Sequence, residues 1–429
     1  MREGRQVDAA RLEIARYVRT GDLVTWGQCG AEPCTLTAAL AAQRASVGGR
    51  FGVFLGAMWS DSLNAAHADV IDFRSYTGSG RNRKLADAGL LDIVPVHYSQ
   101  LQNVLKPDVL LLQVAPADEH GHYSLSIAHE YLLPLIDSAR VVIAEVNAAA
   151  PWTYGTRALR DTDFDALIHS DRAPLEIERA EPGEIEARIA AHTAALIDDG
   201  MTLQFGMGVL PEAILAALED RRDLGVHSGT IGDAVADLTE RGVITNARKT
   251  VDRGATVAGV MMAGKRMYRF AHRNPAVQFR PTSYTHDIDL LGRIDGFAAI
   301  NSAIEVDLTG QVNAESAAGH YLGGVGGSLD FMRGAARSKG GLAVVALPSR
   351  TRNGGSRIVA HLSGPVTTPR SDAGMIVTEH GVADLRGLSL KQRMRRMLDI
   401  AAPELRETLE TEAQRASRMH PATLIQIQE

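Results

Sequence analysis

One stretch of this chain occurs twice. Gly21-Asp-Leu-Val-Thr-Trp-Gly27-Gln-Cys-Gly30-Ala-Glu-Pro33 runs into Cys-Thr-Leu-Thr-Ala-Ala-Leu, and Gly200-Met-Thr-Leu-Gln-Phe-Gly206-Met-Gly208-Val-Leu-Pro211 runs into Glu-Ala-Ile-Leu-Ala-Ala-Leu. Gly21 and Gly200 lie 179 positions apart, Pro33 and Pro211 178. Each copy reads as a short strand, a glycine turn, a proline and a helix; proline at a helix start costs nothing, because its missing N–H would be unpaired there anyway. A second pair supports the first. Leu110-Leu-Leu-Gln-Val-Ala-Pro-Ala-Asp118 leads to Gly121, and Ala298-Ala-Ile-Asn-Ser-Ala-Ile-Glu305-Val-Asp307 leads to Gly310, 189 positions on. Each is followed by a further apolar strand, Arg140-Val-Val-Ile-Ala and Leu342-Ala-Val-Val-Ala-Leu. A repeat of this length means that one folding unit has been duplicated. Pro174, Pro182 and a Glu/Arg-rich stretch interrupt the apolar pattern between the copies, which divides the chain into domains 1–182 and 183–429.

Within each half, apolar runs alternate with helical patterns such as Glu184–Ile197, Glu212–Leu218 and Leu390–Ile400. That alternation predicts an α/β fold: two tandem duplicated domains, each a mainly parallel sheet covered by helices. Such sheets bind ligands beyond the carboxyl ends of their strands. The charge balance, 45 basic against 51 acidic residues, offers no surplus to neutralise a phosphate backbone, so nucleic acid is not an expected partner. No apolar run approaches the length of a membrane span, and Met1–Gly21 lacks the apolar core of a secretory signal. Two cysteines, Cys29 and Cys34, make neither a disulfide framework nor a metal site. The expectation is a cytoplasmic protein with no metal.

The candidate chemistry sits in loops that follow strands. The Gly206-Met207-Gly208 turn could cradle an anion with backbone N–H groups or be a tight strand-to-helix turn, and it lacks the third glycine of a dinucleotide fingerprint. Gly323-Gly324-Val325-Gly326-Gly327 concentrates four glycines in five residues. Its ordering is entropically costly, as fits a close approach to ligand or backbone, or it is a mobile loop. Glu305 and Asp307 share one face of a strand whose other face is apolar; they are either solvent-facing or a catalytic pair. The place equivalent to Glu305 in the first half is Pro116, so the carboxylate belongs to one copy only. Glu379, His380 and Gly381 follow the apolar run Met375-Ile-Val and precede Asp384-Leu-Arg386. They form either an active-site loop or the approach to a structural Asp384–Arg386 contact.

Taken in order, Leu203–Pro211, Ile300-Asn-Ser-Ala-Ile-Glu-Val-Asp-Leu-Thr-Gly-Gln-Val-Asn313, Gly323–Gly327 with Asp330-Phe331, Ser338-Lys-Gly-Gly341 and Val377-Thr-Glu-His-Gly-Val-Ala-Asp-Leu-Arg-Gly387 resemble the acetyl-CoA hydrolase/transferase family of class I CoA-transferases. The resemblance implies a transferase that moves CoA from an acyl-CoA to a small carboxylic acid, by a ping-pong route through a glutamyl-CoA thioester on Glu305. It implies Gly381 as part of an oxyanion hole, and Gly206, Met207, Gly208, Tyr284, His286, Gly323, Gly324, Val325, Gly326, Gly327, Glu379 and His380 as CoA or substrate contacts. No tightly bound cofactor is expected, CoA being substrate and covalent intermediate, and the chain is expected to form a homo-oligomer, a dimer. Acyl-CoA hydrolysis and non-catalytic acyl-CoA sensing are the competing readings. The sequence departs from the family pattern at Ser328, which replaces a usual Gln, at Tyr284-Thr-His-Asp-Ile288, and at His227-Ser-Gly-Thr230, where His-Thr/Ser-Glu-Met is commoner.

Overall fold

Why the chain layers as it does is visible in its strands. Val109–Val114 and Val141–Asn147 are buried along their whole length, as strands covered by helices on both faces must be. The computed structural model describes residues 2–419. Its first half is built on an eight-stranded sheet in which every pairing is parallel. Its second half is built on a six-stranded sheet, parallel except for the hairpin Met375–Thr378 with Gly381–Asp384.

The duplication survives in the topology. In the first sheet, Phe51–Leu55, Leu23–Trp26, Val109–Val114, Val141–Asn147 and Ala166–Ser170 lie side by side in that order. In the second, Gly225–Val226, Thr202–Phe205, Phe297–Ser302, Leu342–Ala346 and Met375–Thr378 repeat it. Alternating side chains segregate to two faces. Leu110, Leu112, Val142 and Ala144 of the first sheet join Leu203, Phe205, Ala298 and Ile300 of the second in one continuous core. The opposite faces pack separately, around Val109, Leu111 and Ile143 in the first half and Phe297, Ala299 and Val345 in the second.

The halves are also stitched together by backbone. Tyr154–Gly155 pairs with Val277–Phe279, Ala128 bridges Val260, and His97 bridges Gly326. The helices expected from periodicity form over Glu184–Ala194, Val209–Ala216 and Leu390–Asp399. Among the described residues no helix is long and apolar enough to cross a membrane. Cys29 and Cys34 are buried free thiols.

Candidate active site

Where the two halves meet, a cleft of about 310 Å³ opens at the carboxyl ends of strands from both. From the second half, Gln204, Phe205, Gly206 and Met207 come off the end of Thr202–Phe205, and Asn301 and Ser302 off the end of Phe297–Ser302. From the first half come Gln28, Tyr76, Tyr98 and Glu130. Two helices, Val209–Ala216 and Ser328–Arg337, begin beside the cleft, and helix N-termini favour negative charge. No lysine or arginine lines it among the described residues, and Glu130 is its one carboxylate.

Glu130 is the centre of a buried polar chain. Its Oε2 accepts from the Tyr98 hydroxyl at 2.5 Å and from the Gln28 amide at 2.8 Å. The Gln28 amide also donates to the Tyr98 hydroxyl oxygen. The orientation of Gln28 is fixed from behind, because its carbonyl oxygen accepts from Tyr76 Oη and Ala57 N–H. Glu130 Oε1 is buried and accepts no hydrogen bond among the described residues. Burial pushes the Glu130 carboxyl up to about 7, against the two hydrogen bonds that hold it down; removal from water disfavours the charged form. Across the cleft, the His286 ring lies 4.3 Å from Phe331 and 5.2 Å from Tyr98, centroid to centroid. Burial pushes its pKa down to about 3, so it is a neutral imidazole, and its Nδ1 lies 2.8 Å from Thr285 Oγ1.

The glycine-rich loop Gly323–Gly327 is one wall of the cleft and a clamp between the halves. The Gly323 carbonyl accepts from Gly78 N–H and Thr77 Oγ1, and the Gly326 carbonyl from Tyr98 N–H. A Cβ at Gly324 would lie 2.4 Å from the Tyr76 carbonyl oxygen, and one at Gly327 2.4 Å from His286 Nε2. Backbone and ring approach so closely here that only glycine fits.

Of the residues expected at the site, Gly206, Met207, His286, Gly324, Val325, Gly326 and Gly327 line this cleft. The others do not. Gly208 faces a smaller adjoining pocket. Gly323 is spent on the contact with the first half. Tyr284 donates its hydroxyl to Asp252 and lies under Arg280. Glu379 is buried with both oxygens engaged by Ser349, through N–H and Oγ. His380 sits 3.7 Å from Glu379, and Gly381 opens the hairpin strand Gly381–Asp384. Asp384 and Arg386 form an ion pair with each other.

Glu305 is the sharpest difference. The strand Glu305–Asp307 is buried throughout and belongs to a small separate sheet with Val312–Asn313 and Ile358–Val359, so neither carboxylate faces solvent. Glu305 Oε1 accepts from Ser363 N–H at 2.6 Å, Ser363 Oγ at 2.9 Å, Gly364 N–H at 3.2 Å and Asn313 Nδ2 at 2.9 Å, and Oε2 from Ser363 Oγ at 3.0 Å. It does not line the cleft. Asp307 is likewise consumed by the turn that follows it, accepting from Thr309 and Gln311. Gly229, within the departing His227-Ser-Gly-Thr230 segment, does line the cleft. Gln28, Tyr76, Tyr98, Glu130, Gln204 and Asn301 were not singled out in the sequence. Gln28 was the legible one, since the repeat places it opposite Met207.

Comparison with known proteins agrees with this architecture. The family model described as acetyl-CoA hydrolase/transferase N-terminal domain matches residues 6–170, and the corresponding C-terminal domain matches residues 264–413. The chain is 38% identical to a 4-hydroxybutyrate coenzyme A transferase of Clostridium kluyveri, over 78% of this chain and 80% of that one. It is 33% identical to a succinyl-CoA:cyclohexane-1-carboxylate CoA transferase of Geobacter metallireducens, over 97% of each. The solved structure of RipA from Yersinia pestis superposes with a TM-score of 0.90 at 33% identity, covering 96% of this chain and 97% of that one.

Proposed function

Because the chain belongs to the acetyl-CoA hydrolase/transferase family, we propose that it transfers CoA from an acyl-CoA to a small carboxylate in the cleft between its halves. The observation that carries this is one mostly apolar cleft shared by both halves and containing a single buried carboxylate. Apolar walls suit an acyl chain and a thioester, and the two flanking helix N-termini suit an entering carboxylate. One cleft suffices when the two carboxylic acids occupy it in turn.

The chemistry needs no metal or redox group. A carboxylate is already anionic near neutral pH and requires no base to become a nucleophile. It attacks the thioester carbonyl, the C–S bond breaks, and a mixed anhydride and CoA thiolate result. The thiolate then attacks the enzyme's carboxyl carbon, releasing the donor as its carboxylate and leaving CoA on the enzyme. An acceptor carboxylate reverses both steps. Interactions with the remote nucleotide part of CoA can be spent on the transition states.

The family motif names Glu305 as the carrier, whereas the cleft contains Glu130. Initial rates with varied donor and acceptor should give parallel double-reciprocal lines. Intersecting lines would reject a covalent carrier. Acyl-CoA loss indifferent to every carboxylate offered would make the protein a hydrolase. A near-neutral carboxyl such as Glu130 favours that second reading, because it could serve as a base toward water. The proposal includes a cytoplasmic homodimer, to be checked by fractionation and sedimentation.

A further inference from the structure

A second cavity, of about 320 Å³, lies apart from the cleft and is again walled by both halves. Its volume matches the cleft's and falls in the range of small-molecule sites, about 300–1,000 Å³. One wall is residues 148–151, just past the carboxyl end of the strand Val141–Asn147, and another is Ala173 and Pro174, past the end of Ala166–Ser170. Carboxyl ends of parallel strands are where open sheets bind ligands. The third wall is the helix Lys265–Ala271 of the second half, with Lys265, Tyr268 and Arg269, followed by His272. Alanine and proline make the first two walls apolar. Lys265 is neutralised by Glu176 at 3.2 Å. The Arg269 guanidinium has no hydrogen bond or ion pair among the described residues, so one positive charge at the cavity is uncompensated. His272 Nδ1 accepts from Trp152 N–H at 3.0 Å, which leaves the ring's proton on Nε2.

The same walls hold the turn that carries Gln28 into the cleft. Tyr268 Oη donates to the Leu175 carbonyl at 2.7 Å, and a Cβ on Gly30 would lie 2.2 Å from it, so the hydroxyl rests on Gly30. From the opposite wall, Ala149 N–H donates to Asn147 Oδ1, Asn147 Nδ2 to Gln113 Oε1, and Gln113 Nε2 to the Gly30 carbonyl. Asn147 and Gln113 are buried. Cys29, between Gln28 and Gly30, is held at φ 52, a left-handed conformation unfavourable for a residue with a side chain. Such a conformation persists only where its surroundings impose it, and here the surroundings are the walls of the second cavity.

Resting on the transferase reading above, we propose that this cavity is a second site for a small carboxylate with an apolar tail, and that its occupancy shifts the Gln28 turn through Gly30. The tail packs on the alanines and prolines, and the carboxylate meets the planar fork of Arg269. One uncompensated cation matches a monoanion; a phosphate monoester, with about two charges, leaves one unmatched. Free carboxylic acids of this kind are what the cleft consumes and releases, so the site couples their concentration to turnover.

The test uses the full-length protein and trifluorobutyrate, followed by ¹⁹F NMR. The wild type should show two saturable bound environments. Arg269→Gln, at an exposed position, should weaken one of them about tenfold to hundredfold, the worth of a hydrogen bond to a charged group. Ala148→Phe, which fills the cavity, should abolish the same one. Saturating trifluorobutyrate should change KM for acyl-CoA about fivefold more in the wild type than in Arg269→Gln. A single bound environment in the wild type, or two that survive both substitutions, would overturn the site. Displacement by equimolar inorganic phosphate would overturn its assignment to a carboxylate with a tail. Equal KM shifts in the wild type and Arg269→Gln would overturn the coupling to Gln28. A dimer that Ala148→Phe dissociates in sedimentation would make the cavity an interface between copies and overturn the ligand. Absence of CoA transfer in the wild type would overturn the transferase reading, and the ¹⁹F result would still decide the site.

Discussion

Replacing Glu305 with alanine separates a structural carboxylate from a nucleophile. The side chain anchors the Ser363–Gly364 turn, accepting from both backbone N–H groups, the Ser363 hydroxyl and the Asn313 amide. Ser363 is exposed and Gly364 half-buried, so water can take up their N–H groups, but Asn313 is fully buried and its freed amide N–H is shut off from water. A donor left buried without an acceptor costs about 1–3 kcal/mol, with a further contribution from the lost side-chain volume. For a cooperative unit of the size of the second half, each kcal/mol lowers Tm by about 2–4 °C. A loss in the middle of that range, about 2 kcal/mol, therefore lowers the melting temperature by about 4–8 °C. Glu305→Gln keeps one acceptor oxygen and should fall between alanine and wild type. Differential scanning calorimetry reads the shift, and transfer is assayed below the lower transition. The prediction is a less stable protein that still transfers CoA. A Glu305→Ala protein with an unchanged melting temperature and no transfer would refute this reasoning and return the nucleophile to Glu305.

The remaining expectations concern pH, the glycine wall and the thiols. Glu130 is raised from 4.5 to about 7 in the native state, so between those values the native protein keeps a proton that the unfolded chain has lost. Stability should therefore fall as pH rises through that window, by about 3 kcal/mol, and level off above it. Glu130→Gln should remove that slope in pH-dependent denaturation, and in the wild type kcat/KM should climb through about pH 7 as the anion forms. Gly327→Ala would set its Cβ 2.4 Å from His286 Nε2; displacement of the ring should raise KM for acyl-CoA about tenfold in steady-state kinetics. Burial raises the Cys29 thiol and pushes Cys34 up to about 12. A disulfide reagent should therefore label neither until the protein is unfolded, because the reactive form is the thiolate.

Local and periodic features were legible in the sequence because they are set by local physics. The glycine-proline turns at Gly27–Pro33 and Gly206–Pro211, the buried strands Val109–Val114 and Phe297–Ser302 and the helix Leu390–Asp399 all follow from spacing. What spacing cannot give is which side of a loop faces the cleft. Glu305 lies in a conspicuous motif, but its strand joins a small separate sheet whose pairing with Ile358–Val359 spans about fifty residues of sequence. The Ser363–Gly364 turn that follows captures the carboxylate, and nothing near Glu305 in sequence announces this. Glu130 was illegible for the opposite reason. It lies between His129 and Tyr131 in an apolar stretch, and its partners Gln28 and Tyr98 reach it from 102 and 32 residues away.

Duplication explains why the polar chemistry could concentrate in the first half. Gln28 and Met207 occupy equivalent turns and both line the cleft. One copy carries an amide that can orient a carboxylate; the other carries a thioether that can only pack against an acyl chain. Further out, Tyr76, Tyr98 and Glu130 from the first half face Phe205, Gly229, the glycine wall and the polar Gln204, His286 and Asn301 from the second. A pseudo-symmetric pair of turns thus puts the cleft's carboxylate on the first half, while the second supplies its apolar surfaces together with the paired amides of Gln204 and Asn301. An acyl thioester needs that combination, because its reacting carbonyl must meet donors while its chain stays dry. The clamp at Gly323 and Gly326 fixes the spacing between the walls by backbone hydrogen bonds to Gly78 and Tyr98. Loosening the clamp should therefore impair turnover in the cleft without touching a residue that lines its polar side.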